Sequence, residues 1–258
     1  MPNTALITGA SSGIGRAFAQ YHAEKGGDLI VTARRAAELD TLKAEIETAH
    51  DVTVTTIPLD LGTSDGPHQL YDEVKATGQK VDILINNAGF GGHGVFVERP
   101  LADDLAMIDL NIKSLVALTH LVAQDMVRQG SGKILNVSST AAYMPGPLQA
   151  TYFATKAYVS SFSQALADEL KDKGVTVTAL EPGYVETEFA ARADLDGTQL
   201  VSGKAATPQS VAKYGYDAMQ RAALRAIDDG GLRFMLNWIM PWLPRKIVLR
   251  IVRKMQAK

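Results

Sequence analysis

Short unbroken runs of apolar or β-branched residues alternate along the chain with longer stretches in which apolar positions recur every three or four residues. The short runs are Ala5-Leu6-Ile7, Leu29-Ile30-Val31, Val52-Thr53-Val54, Ile83-Leu84-Ile85, Ile134-Leu135-Asn136-Val137 and Val175-Thr176-Val177. Leu39, Leu42 and Ile46, then Leu115, Leu118 and Val122, carry the longer period. Strands that are apolar on both faces, separated by helices, predict a parallel sheet covered on both sides. The expected fold class is α/β with a doubly wound sheet, an architecture that binds ligands beyond the carboxyl ends of its strands.

Composition narrows this picture without redirecting it. The 258 residues fit one α/β unit, and no repeat, linker or low-complexity tract divides them, so residues 1–258 are expected to form one domain. Hydrophobic residues at 46% and charged residues at 21% describe a soluble chain with a substantial core. A net charge of −2 and a pI near 6.2 give no electrostatic case for nucleic acid. The absence of cysteine excludes disulfides, thiolate metal sites and a Cys nucleophile, and fits a reducing, cytoplasmic setting. Met1-Pro2-Asn3-Thr4 leads into an apolar run without a charged leader, against a signal peptide. No uncharged apolar run reaches 18 residues, so no transmembrane helix is expected. The five histidines (22, 50, 68, 93 and 120) lack metal-ligand spacing and are expected mostly at the surface, with no metal site. His93, in Phe90-Gly91-Gly92-His93-Gly94, is a candidate for the rim of a substrate entrance.

The first strand runs into Thr8-Gly9-Ala10-Ser11-Ser12-Gly13-Ile14-Gly15-Arg16, which opens a helix to about Lys25. Gly9, Gly13 and Gly15 meet the demands of a pyrophosphate site: a tight turn, a close backbone approach, and a helix N-terminus aimed at the charge. A merely close-packed turn would need the same glycines. The second strand ends Ala33-Arg34-Arg35, where an NAD site of this design would carry an acidic residue for the ribose 2′-hydroxyl. Arginine pairs with phosphate, so Arg34 is assigned to the 2′-phosphate of NADP, with Arg35 as a solvated helix-start residue. After the third strand, Pro58-Leu59-Asp60-Leu61 offers a carboxylate to an adenine amino group. After the fourth, Asn86-Asn87-Ala88-Gly89 combines bracing amides with small residues that admit a ribose.

Tyr152 and Lys156 lie four apart on a predicted helix and hence on one face. The ammonium is expected to stabilise the phenolate and pull the phenol below its ordinary value of about 10. The phenol then serves as proton donor, or as base in reverse, while Ser139 holds the substrate oxygen. Ser138 competes with Ser139 for that role. Tyr143 and Tyr158 lack a lysine four residues on and read as structural.

Together, the glycine-rich turn, Asn86-Asn87-Ala88-Gly89, Ser139 thirteen residues before Tyr152, and Tyr152-x-x-x-Lys156 resemble the short-chain dehydrogenase/reductase family over about residues 3 to 230. The resemblance implies a Rossmann-like sheet of about seven strands, a nicotinamide cofactor, and a homodimer or homotetramer. It implies that Lys156 also binds the nicotinamide ribose and that Asn111 is a fourth catalytic member, holding a water in a relay to Lys156. Asn111 could equally be an ordinary turn residue between two helices. By the same resemblance, Gly9, Ser11, Ser12, Gly13, Ile14, Gly15, Arg34, Asp60, Leu61, Asn87, Ala88 and Gly89 belong to the cofactor site. So do Tyr152, Lys156, Pro182, Gly183, Val185 and Thr187, the last two flanking the carboxamide. The activity implied is NADP(H)-dependent interconversion of a carbonyl and an alcohol. A catalytically silent cofactor-binding scaffold is the rival, and an intact Ser139, Tyr152 and Lys156 argues against it.

Residues 188–206 mix Gly, Asp, Ser and small residues without a period, as a lid or substrate loop does. Thr207-Pro208 then restarts a helix. The segment 234–258 is apolar around Trp238 and Trp242 and continues as a basic amphipathic helix. Such a segment can pack over the pocket, with both tryptophans walling an apolar substrate site, form an interface, or lie on a membrane surface. Packing is the expectation taken here.

Overall fold

The computed structural model describes residues 3–201 and 205–258. Strands β1 (Thr4–Thr8), β2 (Asp28–Ala33), β3 (Val54–Pro58), β4 (Ile83–Asn86), β5 (Gly132–Val137), β6 (Val175–Leu180) and β7 (Arg225–Ala226) form one parallel sheet in the order β3-β2-β1-β4-β5-β6-β7. The chain reverses its winding between β1 and β4, and the carboxyl ends of these two strands open a crevice there.

Side chains alternate across the sheet. Ile7, Leu29, Val31, Ile85 and Leu135 face α1 (Gly13–Glu24), α2 (Ala36–Ala49) and α8 (Pro208–Gln220), meeting Phe18, Leu42 and Met219. Leu6, Ile30, Leu84, Ile134 and Val177 face α3 (Gly66–Ala76), α5 (Leu115–Gln129) and α6 (Ala150–Leu170), meeting Leu70, Val122 and Leu166. Between α3 and α5, α4 (Leu101–Ile108) leads into α5 through a π-helical turn, Asp109–Ser114. Residues 101–129 are long and apolar enough, by length and composition alone, to cross a membrane. Within this segment, Leu118, Val122 and Met126 of α5 are buried against the sheet.

Two strands differ from their expected bounds. β3 begins at Val54 rather than Val52 because the Thr53 N–H is taken by the Asp28 carboxylate, 2.8 Å away. β7 has only two residues and no apolar run to announce it. His22 is also a correction: it is fully buried, its Nδ1 2.9 Å from the Tyr216 hydroxyl and its Nε2 3.2 Å from the Asn3 and Asp28 carbonyls. Burial lowers its pKa.

The tail folds back as α9 (Gly230–Phe234), two irregular turns through Trp242, and α10 (Arg245–Gln256). The Asp229 side chain caps α9 by accepting from the Leu232 N–H. Leu236, Met240, Val248 and Val252 are buried against Ala141 and Phe153, with Tyr152 packed at the edge of that cluster. The tail therefore packs beside Tyr152. The expected wall of tryptophans is absent: Trp238 is 68% and Trp242 84% exposed. The turns from Met235 to Trp242 direct Leu236 and Met240 inward and leave both indoles on the outer side.

Candidate active site

The glycine-rich turn is shaped by close backbone approaches. Gly9 and Gly13 have φ of +68° and +56°, where a side chain is strained. A Cβ on Gly15 would sit 2.3 Å from the Gly9 carbonyl oxygen. The turn is lashed to the end of β4: the Asn87 side chain donates to the carbonyls of Thr8 (2.9 Å) and Gly9 (3.2 Å), and Thr8 Oγ1 accepts from the N–H groups of Asn87 and Ala88. Ser12 begins α1 without a side-chain capping bond, so its hydroxyl does not occupy the first amides of the helix. This side-chain-free cradle at a helix N-terminus fits a dinucleotide pyrophosphate.

At the end of β2, Arg34 is exposed and makes no hydrogen bond or ion pair among the described residues. Arg35 instead reaches Ser11 Oγ at 3.2 Å and Glu188 at 3.4 Å. Both arginines border the turn, but only Arg35 touches it. Asp60 is exposed and accepts the Gly62 N–H at 2.9 Å, while Leu61 is buried in the core with Ala88 packed nearby. Thr187 stands over the turn, its methyl 3.1 Å from where a Gly13 Cβ would be, and Val185 is buried, bridged to Ala206. The Pro182 carbonyl accepts from the Thr140 N–H at 3.0 Å, and Gly183 lies under Leu232 of the tail.

Asn86 braces laterally, donating to Thr119 (2.8 Å) and Asn136 (2.9 Å). Asn111 sits in the π-helical turn, 2% exposed. Its amide donates to the Phe90 carbonyl (2.9 Å) and Thr155 Oγ1 (3.1 Å), and its oxygen accepts from the Phe90 N–H (3.1 Å). A Cβ on Gly89 would come within 2.9 Å of that oxygen and 3.7 Å of Lys156 Nζ. Asn111 thus clamps the loop after β4 to α6 beside the lysine; a π-helical insertion is a frequent mark of functional positions.

The two serines separate cleanly. Ser138 is buried and donates to the Lys156 carbonyl at 2.8 Å, tying β5 to α6. Ser139 caps the following turn by accepting from the Ala141 N–H at 3.1 Å, and its hydroxyl faces the Tyr152 phenol. Lys156 Nζ donates to the Val137 carbonyl at 2.9 Å and lies 5.8 Å from the centre of the Tyr152 ring. The geometry of one shared face holds, but the expected electrostatic effect does not. Burial pushes the Tyr152 phenol up to about 12, with the Ser139 hydroxyl opposing, and brings Lys156 down to about 8. Desolvation sets both shifts; Lys156 is itself buried and bonded to the Val137 carbonyl rather than to the phenol. At neutral pH the phenol therefore holds its proton.

Other site neighbours escaped the sequence reading. The Phe189 ring lies 5.3 Å from that of Tyr152, so the loop beginning at α7 (Phe189–Arg192) covers the tyrosine; residues 202–204 of the expected 188–206 loop lie outside the described residues. Gln149 is buried, and its side-chain amide has no hydrogen-bond partner among the described residues. Glu181 is fully buried, accepting from Ser160 and Tyr143 and paired with Arg225 at 3.2 Å; burial raises it to about 7. Tyr143 is structural through that bond, and Tyr158 stacks on Phe162 at the surface. His93 is committed to the tail, its Nε2 2.7 Å from the Gln256 carbonyl oxygen. No cluster of three or more potential metal ligands occurs among the described residues.

A sequence profile of the short chain dehydrogenases matches residues 3–196. The chain belongs to the short-chain dehydrogenase/reductase family. It is accordingly an oxidoreductase. It is 32% identical over 260 aligned positions to a very-long-chain 3-oxoacyl-CoA reductase of Macaca fascicularis, covering 97% of this chain and 78% of that one. Sulfoacetaldehyde reductase 2 of Chromohalobacter salexigens is 40% identical over 195 positions, covering 73% and 75%. Among solved structures, a short-chain dehydrogenase from Sphingobium yanoikuyae in complex with NADPH superposes with a TM-score of 0.85 at 30% identity, over 100% of this dehydrogenase and 99% of the other. Seven strands, where periodicity alone gave six, agree with the family's sheet.

Proposed function

We propose that this dehydrogenase uses NADPH to reduce a carbonyl carried on a fairly apolar substrate, with Tyr152 as the proton donor. The observation that carries the reading is the grouping of the Tyr152 phenol with Ser139 and with Lys156, 5.8 Å from its ring, under a cover made of Phe189 and the inward side chains of the tail. NADPH, when bound, supplies the hydride. The chain does the rest. Ser139 Oγ and the Tyr152 hydroxyl take the carbonyl oxygen, and as negative charge develops there the phenol proton moves onto it. Lys156, 5.8 Å from the ring, steadies the charge left on Tyr152, and Asn111 fixes the loop and helix that orient the lysine.

Phe153, Leu236, Met240 and Val248 next to Tyr152 support an apolar substrate, as does a relative named for a very-long-chain acyl group. The sulfoacetaldehyde reductase is named for a small polar substrate, so the names do not choose; the apolar side chains packed beside Tyr152 support the apolar reading. NADP over NAD rests on the absence of an acidic residue after β2 and on the free guanidinium of Arg34, in agreement with the NADPH-bound relative. Leu101 and Leu105, exposed on α4, support self-association, and a cysteine-free chain suits the cytoplasm.

A panel of ketones and aldehydes of rising chain length, followed by nicotinamide absorbance, tests the assignment. Turnover should favour NADPH over NADH by at least tenfold, Arg34→Ala should remove most of that preference, and kcat/KM should rise with apolar length. Equal use of both cofactors, or a preference for short polar carbonyls, contradicts it.

A further inference from the structure

The outer side of the tail is left unexplained by the reaction. Phe234 is 61% exposed, and Trp238 and Trp242, the protein's only tryptophans, are more exposed still. On α10, Val248, Val252 and Gln256 turn inward. At 100° per residue, Ile247, Ile251 and Met255 form an adjoining stripe, and all three are exposed. Beside it runs a second stripe of Lys246, Arg250, Arg253 and Lys254. The side chains of these four, and of Arg245, form no ion pair among the described residues. Val95, Phe96 and Val97 add further exposed apolar surface on the loop that His93 ties to the end of α10.

Charge separates this region from the rest of the molecule. Residues 230–258 contain seven Lys and Arg and no Asp or Glu, which leaves the other 229 residues at −9, with 19 basic against 28 acidic side chains. Soluble surfaces seldom join exposed indoles, an aliphatic stripe and an unpaired basic stripe. An interfacial segment requires all three: apolar groups for the acyl boundary, tryptophan for the headgroup level, and cations for anionic lipid.

We infer that this face docks the protein on the surface of an anionic lipid bilayer. The same face of a second copy would meet it with like charge, which disfavours self-association through this surface. The inner side of the tail packs beside Tyr152, so docking brings the substrate end of the protein to the lipid. The inference stands independently of the reaction assigned above.

The full-length chain should be mixed with phosphatidylcholine vesicles and with vesicles containing about one-third phosphatidylglycerol, then sedimented. Binding is expected on the anionic vesicles, little on the neutral ones, and most of it should be lost in about 0.5 M salt. Both tryptophans lie on the docking face, so their emission should shift to the blue on binding. Arg250→Glu with Arg253→Glu should weaken binding at least tenfold, and Trp238→Ala with Trp242→Ala should do the same, while turnover of a small water-soluble carbonyl stays unchanged. Three results would overturn the inference: no binding to anionic vesicles, equal binding by the charge-reversed variant, or a concentration-dependent dimer that Trp242→Ala dissociates without any vesicle binding.

Discussion

Asn86, Asn111, Ser138 and Lys156 lie inside the protein with their polar groups hydrogen-bonded, whereas Phe234, Trp238 and Trp242 stand outside it on the tail. In the first region polar groups are buried at a cost and held by their partners; in the second, apolar groups are left in water. The contrast shows where geometry is being held for chemistry and where surface is being kept for contact. One chain segment serves both: Leu236 and Met240 close the site from within, and the indoles two residues on from each face outward.

Three changes probe that contrast, in decreasing order of effect. Leu236→Ala removes a buried side chain from the cluster around Phe153 and should lower unfolding free energy by roughly 2–5 kcal/mol, read by denaturant titration. A change within about 0.5 kcal/mol would mean the inner side of the tail is not packed. Glu181 comes next. Its folded pKa of about 7 lies above its ordinary 4.5, so its contribution is fully present below pH 4.5 and is lost as pH rises through 7. Stability should fall by roughly 1–3 kcal/mol across that window, and Glu181→Gln should flatten the fall. A variant with the same slope would place the titration elsewhere. Trp242→Ala should be the mildest, changing stability by less than about 0.5 kcal/mol. A loss like that of Leu236→Ala would show the indole to be buried in the working protein.

Much of the fold was legible because six of the seven strands carry short runs of apolar or β-branched residues, most of them buried. β7 escaped because two residues carry no pattern, and β3 slipped by two because the Asp28 side chain sets its start. His22 is the buried exception among histidines expected mostly at the surface; its partner Tyr216 is 194 residues away in sequence, beyond any local pattern. At the site, the structure brings together Tyr152, Lys156 and Ser139, the three that spacing singles out, and gives Ser138 a separate tethering role. The sign of the Tyr152 shift was missed because it depends on burial by Phe189 and the tail, remote segments that no local motif encodes. The tryptophans were misplaced for a related reason: composition marks a segment as apolar but does not say which side of it turns inward.

The central claim is that Tyr152 donates the proton, and its most direct test is a single-turnover experiment with NADPH and an apolar ketone on Tyr152→Phe. The ring, its packing on Phe189 and the cofactor cradle all survive this change, so NADPH should bind within about twofold of the native affinity while the hydride step slows by roughly 10²–10⁴-fold. A hydride step at the native rate would contradict the account and move the proton donor to another group.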